Sequence, residues 1–178
     1  MNIFYLDENF ETAAKMHLDK HVVKMIIEYA QLMSTAHRML DGDEYIDDSS
    51  GRRIKRWRHP NDNMDGVLYK ASHINHPSAI WTRETFTNYL WLYSLWLELC
   101  KEYTHRYGKK HLTQEKLEDI LSMPPHNIKD GPMTTMPQAM PDDVKMESSI
   151  DAYRNYYRTY KMDMARYTKR DVPEFMVA

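Results

Sequence analysis

The chain has 178 residues, enough for one domain whose core hides about 70% of the surface exposed by the unfolded chain. Five glycines, with neither GxxxxGK[ST] nor GxGxxG among them, exclude a glycine-rich phosphate loop. The single cysteine, Cys100, excludes an internal disulfide framework and CxxC metal or redox sites. A net charge of −2 is not the basic footprint usual for a nucleic-acid binder, so the distribution of charge matters more than its sum.

The opening MNIFYLDENF lacks a basic start and a sustained apolar run, so it does not read as a signal peptide. No apolar run reaches the roughly 18 residues of a membrane span. The expected location is the cytoplasm. IFYL at 3–6 is the one strand candidate.

Helical periodicity then takes over. Leu18, Val22, Met25, Tyr29, Leu32, Ala36 and Leu40 recur at three- and four-residue steps, which predicts a first long helix over 12–40. DGD at 41–43 stops it, with Gly42 as a left-handed cap. Residues 41–76 are polar and poorly periodic and read as a long loop with a short helix near 65–71. This loop holds acids in DGDEYIDD (41–48) and bases around Trp57 in GRRIKRWRHP (51–60). Loops of this length usually bind something.

Pro77 suits the first position of a second long helix, which ends at Gly108. Thr113 opens a short helix that stops before Pro124 and Pro125. Residues 124–146, with five prolines and four methionines, read as an extended wrapping segment. Ser148 and Asp151 form a capping-box pattern that opens a last helix to about Arg170. The expected fold is mainly α, a compact single-domain bundle over residues 1–178 with two long helices, a C-terminal helix and long loops.

The first long helix poses a chemical question. Taking His17 as the origin at 100° per residue, His21, Lys24, Glu28 and Thr35 fall at about 40°, −20°, 20° and 0°. Asp19 falls at about 200°, inside the apolar arc, and needs a partner if buried. One reading makes the stripe the solvent face of an amphipathic helix. A second uses His17, His21 and Glu28, with His73 and His76 of SHINHP, as a metal-dependent centre, because histidines at i and i+4 share a face. A third sets Glu28 beside an N-terminal amine. Such an amine ordinarily has a pKa of about 7.7–8.0 and is partly nucleophilic at cellular pH. A neighbouring carboxylate moves its protons.

The segment DKHVVKMIIE (19–28) resembles the helix of pyrimidine-dimer DNA glycosylases of the bacteriophage endonuclease V type. In those, an acid and a histidine two residues on are followed seven residues later by the catalytic glutamate. Here these are Asp19, His21 and Glu28. The second long helix is also similar, with His73 and His76 before its start and Glu102 and Arg106-Tyr107-Gly108 at its end. MNIFYLD at the start and AYRNYY with VPEF near the end resemble small marine-phage proteins grouped with such glycosylases.

The resemblance implies an all-α DNA glycosylase with associated AP-lyase activity that excises ultraviolet-damaged pyrimidines without a cofactor. The N-terminal amine attacks the sugar C1′ and forms a Schiff base. With Asn at position 2, Met1 is expected to stay, so that amine belongs to Met1. Glu28 stabilises the sugar cation and moves protons, and His21 supports the site. The expected partner is double-stranded DNA, bound by a monomer. Lys20 and Lys24 face phosphate, Arg52, Arg53, Lys55, Arg56 and Arg58 hold the backbone, Trp57 stacks near an unstacked base, and Arg83 lines the site. A non-catalytic nucleic-acid-binding protein on the same scaffold is the remaining reading.

Overall fold

The computed structural model describes residues 1–177 and is mainly helical, as the periodicity predicts. In chain order its elements are α1 (Phe10–Met16), α2 (Asp19–Asp41), β1 (Asp43–Asp47), β2 (Ile54–Arg58), α3 (Asp62–Asp65), α4 (Pro77–Glu84), α5 (Phe86–Tyr107), α6 (Leu112–Leu121), α7 (Ser149–Tyr156) and α8 (Glu174–Val177). Among the described residues, no helix is long and apolar enough to cross a membrane.

The core lies between α2 and α5. Leu18, Val22, Ile26 and Met33 meet Leu92, Leu95, Trp96 and Leu99, all fully buried. Trp96 satisfies its indole N–H on the Ile26 carbonyl at 2.9 Å, which fixes the two helices against each other. α1 and α4 complete the bundle, and α6 caps its end with Leu117 and Leu121. The aromatic run of α5 is core, as its helical spacing suggests.

Both long helices are interrupted. The first breaks at His17 and Leu18, which are extended (ψ 130° and 157°), although neither proline nor glycine is there. The cause is tertiary. The buried Arg106 of α5 donates to the carbonyls of Lys15 and His17 at 3.0 and 2.8 Å, and to Asp19 Oδ1 at 2.9 Å. The Asp19 amide turns to the Arg166 carbonyl instead of continuing a helix. Asp19 thus has the partner its position demands, and the side chain and amide of Thr168 complete it. The second long helix breaks at Thr85 (φ −138°, ψ 155°). Its hydroxyl accepts from Asn88 N and donates to the Pro132 carbonyl, so it serves as the N-cap of α5.

Three other expectations change. IFYL forms no strand pairing. It is an extended segment held by Tyr29, whose hydroxyl accepts from Phe4 N at 3.0 Å. The predicted loop 41–76 contains the only hairpin among the described residues, β1 antiparallel to β2 with Asp43 opposite Arg58 and Asp47 opposite Ile54. Its signal was charge rather than hydrophobic alternation: Lys55 pairs with Glu44 at 3.1 Å, Arg56 with Asp47 at 3.9 Å, and Arg58 lies over the Tyr45 ring. The short helix is α3, at 62–65, rather than 65–71. Finally, α7 passes at Tyr157 into a π turn and at Met162 into a 3₁₀ turn, and ends at Met164 rather than Arg170.

The caps are mixed. Pro77 is at the first position of α4, Ser148 accepts from Asp151 N, and Gly108 is left-handed at φ 71°. Gly42 is not left-handed, with φ −91°. It is glycine because a Cβ there would sit 2.5 Å from the Arg38 carbonyl and 3.0 Å from that of Arg58. The hairpin could not approach α2 so closely with any other residue.

Candidate functional site

The N-terminal segment runs beneath α2 with Ile3, Phe4 and Leu6 buried. Tyr29 fixes it near one end. Arg154 fixes the other, donating to the Leu6 carbonyl at 2.8 Å and to Asp7 at 3.2 Å. The consequence is that the Met1 α-amine comes to 3.7 Å from Glu28 Oε2. The other carboxylate oxygen of Glu28 meets Lys24 Nζ at 3.1 Å, one turn back on α2. Glu28 is 17% exposed and Lys24 is 68% exposed, so the pair opens to solvent through the lysine.

His76 adjoins this pair. The N-terminal amine and Glu28 are both among the charges acting on it. Its pKa is lowered, chiefly by burial, then by the amine and His73, against an opposing pull from Glu28. Its Nδ1 accepts from Ser78 N at 3.1 Å, which caps α4 and leaves the ring proton on Nε2. His73 is exposed and left-handed at φ 48°, an uncommon conformation for a residue with a Cβ. Arg83 does not face outward. It donates to the Ile74 carbonyl at 2.7 Å, and burial lowers its pKa. This bond braces the 72–76 loop, and Arg83 Nη1 has no hydrogen-bond partner among the described residues.

The histidine stripe does not survive folding as a stripe. His17 belongs to the break between helices and is fully buried. Its Nδ1 donates to the Ala13 carbonyl at 2.7 Å, and its Nε2 accepts from the Tyr29 hydroxyl at 2.8 Å. The proton assignment follows from Tyr29, which already accepts from Phe4 N and so gives its own proton to His17. His21 bonds the Tyr157 hydroxyl at 2.7 Å and stacks on Phe4, ring centroids 4.2 Å apart. Burial pushes the pKa of His17 down to about 4 and that of His21 down to about 2. Both are neutral packing groups at pH 7. Neither joins Glu28, His73 and His76 in a metal centre: both nitrogens of His17 are committed to Ala13 and Tyr29, Nδ1 of His21 is committed to Tyr157, and no group of three close ligand atoms among the described residues includes either ring. His21 supports the site indirectly, by stacking on the segment that carries Met1. Thr35, the fifth member of the stripe, is buried and accepts from Ser72 N.

The basic residues separate into two groups. Lys20 and Lys24 are exposed on α2, on the side of Glu28. Arg52, Arg53, Lys55, Arg56, Trp57 and Arg58 sit on the hairpin, anchored at the far end of α2 by Arg38, which donates to the Trp57 carbonyl at 2.8 Å. Ten residues of helix separate Arg38 from Glu28, about 15 Å. From 43 to 58 the hairpin carries four acids and five bases, so its net charge is only +1. Its bases are unevenly matched: among the described residues Lys55 and Arg56 are in ion pairs, Arg58 lies over the Tyr45 ring, and Arg52 and Arg53 at the exposed tip have neither contact.

The larger hollows lie elsewhere. One of about 420 Å³ is lined by Tyr5, Met133–Met136 and Glu147–Ile150, and one of about 440 Å³ by Met16, Arg154, Arg158, Glu174 and Phe175. Neither includes Met1 or Glu28. The residue that sequence reasoning missed here is Tyr29, which ties the N-terminal segment to His17. Its place on the apolar face of α2 gave no sign of that bond. Comparison of the chain with family models, with curated proteins and with solved structures finds no match in any of the three.

Proposed function

We propose that the protein is a DNA glycosylase with AP-lyase activity, working through an imine between the Met1 amine and a damaged deoxynucleotide. The observation that carries this is the 3.7 Å approach of the Met1 amine to Glu28, two groups 27 positions apart. The chemistry needs an amine nucleophile with a carboxylate at its side. The neutral amine attacks C1′; the C1′–N bond forms as the glycosidic bond breaks and the base leaves with a proton. The sugar ring opens to the iminium. A base then takes a C2′ proton, and the electron pair expels the 3′ phosphate. In this reading Glu28 stabilises the positive sugar and carries the protons. His76, with its proton on Nε2, donates to a sugar or phosphate oxygen; its position beside the amine and Glu28 supports that role. Lys24 offsets the phosphate charge.

Two features support a DNA substrate. Lys20 and Lys24 are exposed on α2 on the N-terminal side of the pair, and the hairpin that carries Arg52 and Arg53 is anchored at Arg38, about 15 Å along α2 from Glu28. The imine chemistry itself calls on no metal or organic cofactor.

The test is borohydride trapping on ultraviolet-irradiated duplex DNA, with mass mapping of the adduct and of the intact N terminus. An adduct on the Met1 amine is expected. It should be lost on extending the chain by one residue before Met1, and Glu28→Gln should reduce single-turnover cleavage by about 10²- to 10⁴-fold. A folded, pure protein that gives no adduct on irradiated or abasic DNA overturns the reading. Retained, salt-dependent DNA binding in that case would identify a binding module instead.

A further inference from the structure

The C-terminal end of α2 carries a second cluster. His37 and Asp41 stand one turn apart on the helix, and His59, just beyond β2, folds back onto them. One ligand atom from each lies within 4.8 Å of the others, and His59 Nε2 is 3.9 Å from Asp41 Oδ2. His37 and His59 are 1% and 5% exposed, yet His37 Nδ1 and His59 Nε2 have no hydrogen-bond partner of good geometry among the described residues; the Met123 carbonyl lies near enough to His37 to favour its protonated form and is the group an ion would have to displace. Bare buried nitrogens of this kind are uncommon in folded proteins, and an absent ion is one of the few explanations.

The surrounding hydrogen bonds fix where the lone pairs point. The Tyr89 hydroxyl has one proton and gives it to the Leu121 carbonyl at 2.9 Å. It therefore accepts from His37 Nε2 at 3.0 Å, and the His37 lone pair is on Nδ1, facing the cluster. Asp41 is oriented by the amides of His126 and Asn127 at 2.7 and 2.9 Å and by Asn127 Nδ2 at 3.0 Å. His59 is held through its own amide on Asp65 Oδ1 at 2.8 Å, and Asp65 is clamped by Arg38 at 2.6 Å. This is the outer support that metal-binding imidazoles and carboxylates have. One adjustment is required. His59 Nδ1 accepts from Asn61 N at 3.1 Å, which puts its proton on Nε2; a cation there moves that proton to Nδ1 and ends the Asn61 bond.

We propose that His37 Nδ1, an oxygen of Asp41 and His59 Nε2 form a binding site for one divalent transition-metal ion, with zinc the best match. Zinc takes imidazole nitrogen and carboxylate oxygen at about 2.0–2.2 Å, which places its donors about 3.4 Å apart, so the cluster closes by about 1 Å on loading. Two imidazoles and a carboxylate also accept iron(II) or cobalt(II), whereas magnesium and calcium prefer oxygen alone. The ion would join the end of α2 to the base of the basic hairpin. Through Asp41 and Tyr89 it would also stiffen the 121–127 segment. The site is separate from the Met1–Glu28 pair, about 14 Å along α2 from His37 to Glu28, and does not rest on the imine chemistry.

The full chain, stripped with EDTA and exchanged into clean buffer, is titrated with zinc(II) by calorimetry and with cobalt(II) by absorption spectroscopy. The expected result is one ion per chain with a Kd of about 1 μM or tighter, and a Tm that rises with zinc. Asp41→Asn and His59→Gln should each weaken uptake at least tenfold, whereas His73→Gln and His76→Gln should not change it. Absence of stoichiometric uptake overturns the proposal, as does uptake that survives both cluster substitutions. If those variants do not fold, X-ray absorption on the zinc-loaded wild type decides. A shell with two imidazoles and one carboxylate supports the site, and any other shell removes it.

Discussion

The two ends of α2 each carry a pair of buried histidines, and the pairs differ in one respect. At the N-terminal end His17 has both ring nitrogens bonded, while His21 bonds Tyr157 and stacks on Phe4. At the C-terminal end His37 and His59 each keep one buried nitrogen bare, aimed at the same carboxylate. Both ends are clasped by an arginine that gathers main-chain carbonyls, Arg106 at one and Arg38 at the other. Burial of a histidine therefore does not separate packing from ligand binding. What sets His37 and His59 apart is an unpartnered buried nitrogen on each, close to one carboxylate.

The strongest way to test the N-terminal end is to remove its clasp. Arg106 is fully buried with Glu102 and Asp19 as partners, so Arg106→Ala should lower stability by about 3–5 kcal/mol in urea denaturation. It should also release the α1–α2 break and move the Met1 segment, so an Arg106 variant of full stability would undo the account of why the helix breaks.

The pH dependence is the next largest effect. His17 and His21 have folded pKa values of about 4 and about 2, depressed from 6.5 by burial. The unfolded chain binds these two protons more readily than the native one. Their contribution is fully present above pH 6.5 and is lost as pH falls from there toward the folded values. With His37, whose folded value burial also lowers to about 4, three protons are taken up on unfolding, and stability should drop by up to about 4 kcal/mol per pH unit near pH 5. Urea midpoints at pH 7, 6 and 5 check this, and a flat profile would mean that the histidines are solvated.

A smaller contrast compares the pairs directly in metal-free protein. His17→Leu strands the Tyr29 hydroxyl proton and the Ala13 carbonyl and should cost about 2 kcal/mol. His37→Leu leaves the Tyr89 proton on Leu121 and should cost less than about 1 kcal/mol. Equal costs would erase the distinction drawn above. The smallest effect is expected at the hairpin tip. Arg52→Ala and Arg53→Ala should leave folding unchanged and each reduce the salt dependence of DNA binding by about one phosphate contact.

What the sequence determined by itself was the class of fold and most helix ends. Three- and four-residue apolar spacing is a local property of the chain, and so are Pro77, Ser148 and Gly108 as helix signals. It also brought Met1 and Glu28 together as a hypothesis, through a resemblance carried by a few residues. The tertiary structure decided the rest. Arg106 lies 89 residues from His17, and no local pattern announces that it will take the carbonyls that would have continued a helix. The β1–β2 hairpin is held by charges across strands rather than by apolar alternation, so its periodicity was silent. His37 and Asp41 share a helical turn in the sequence, but His59 reaches them only because Gly42 lets the hairpin lie against α2. A site made from separate segments depends on the geometry between them, which exists only once the chain has folded.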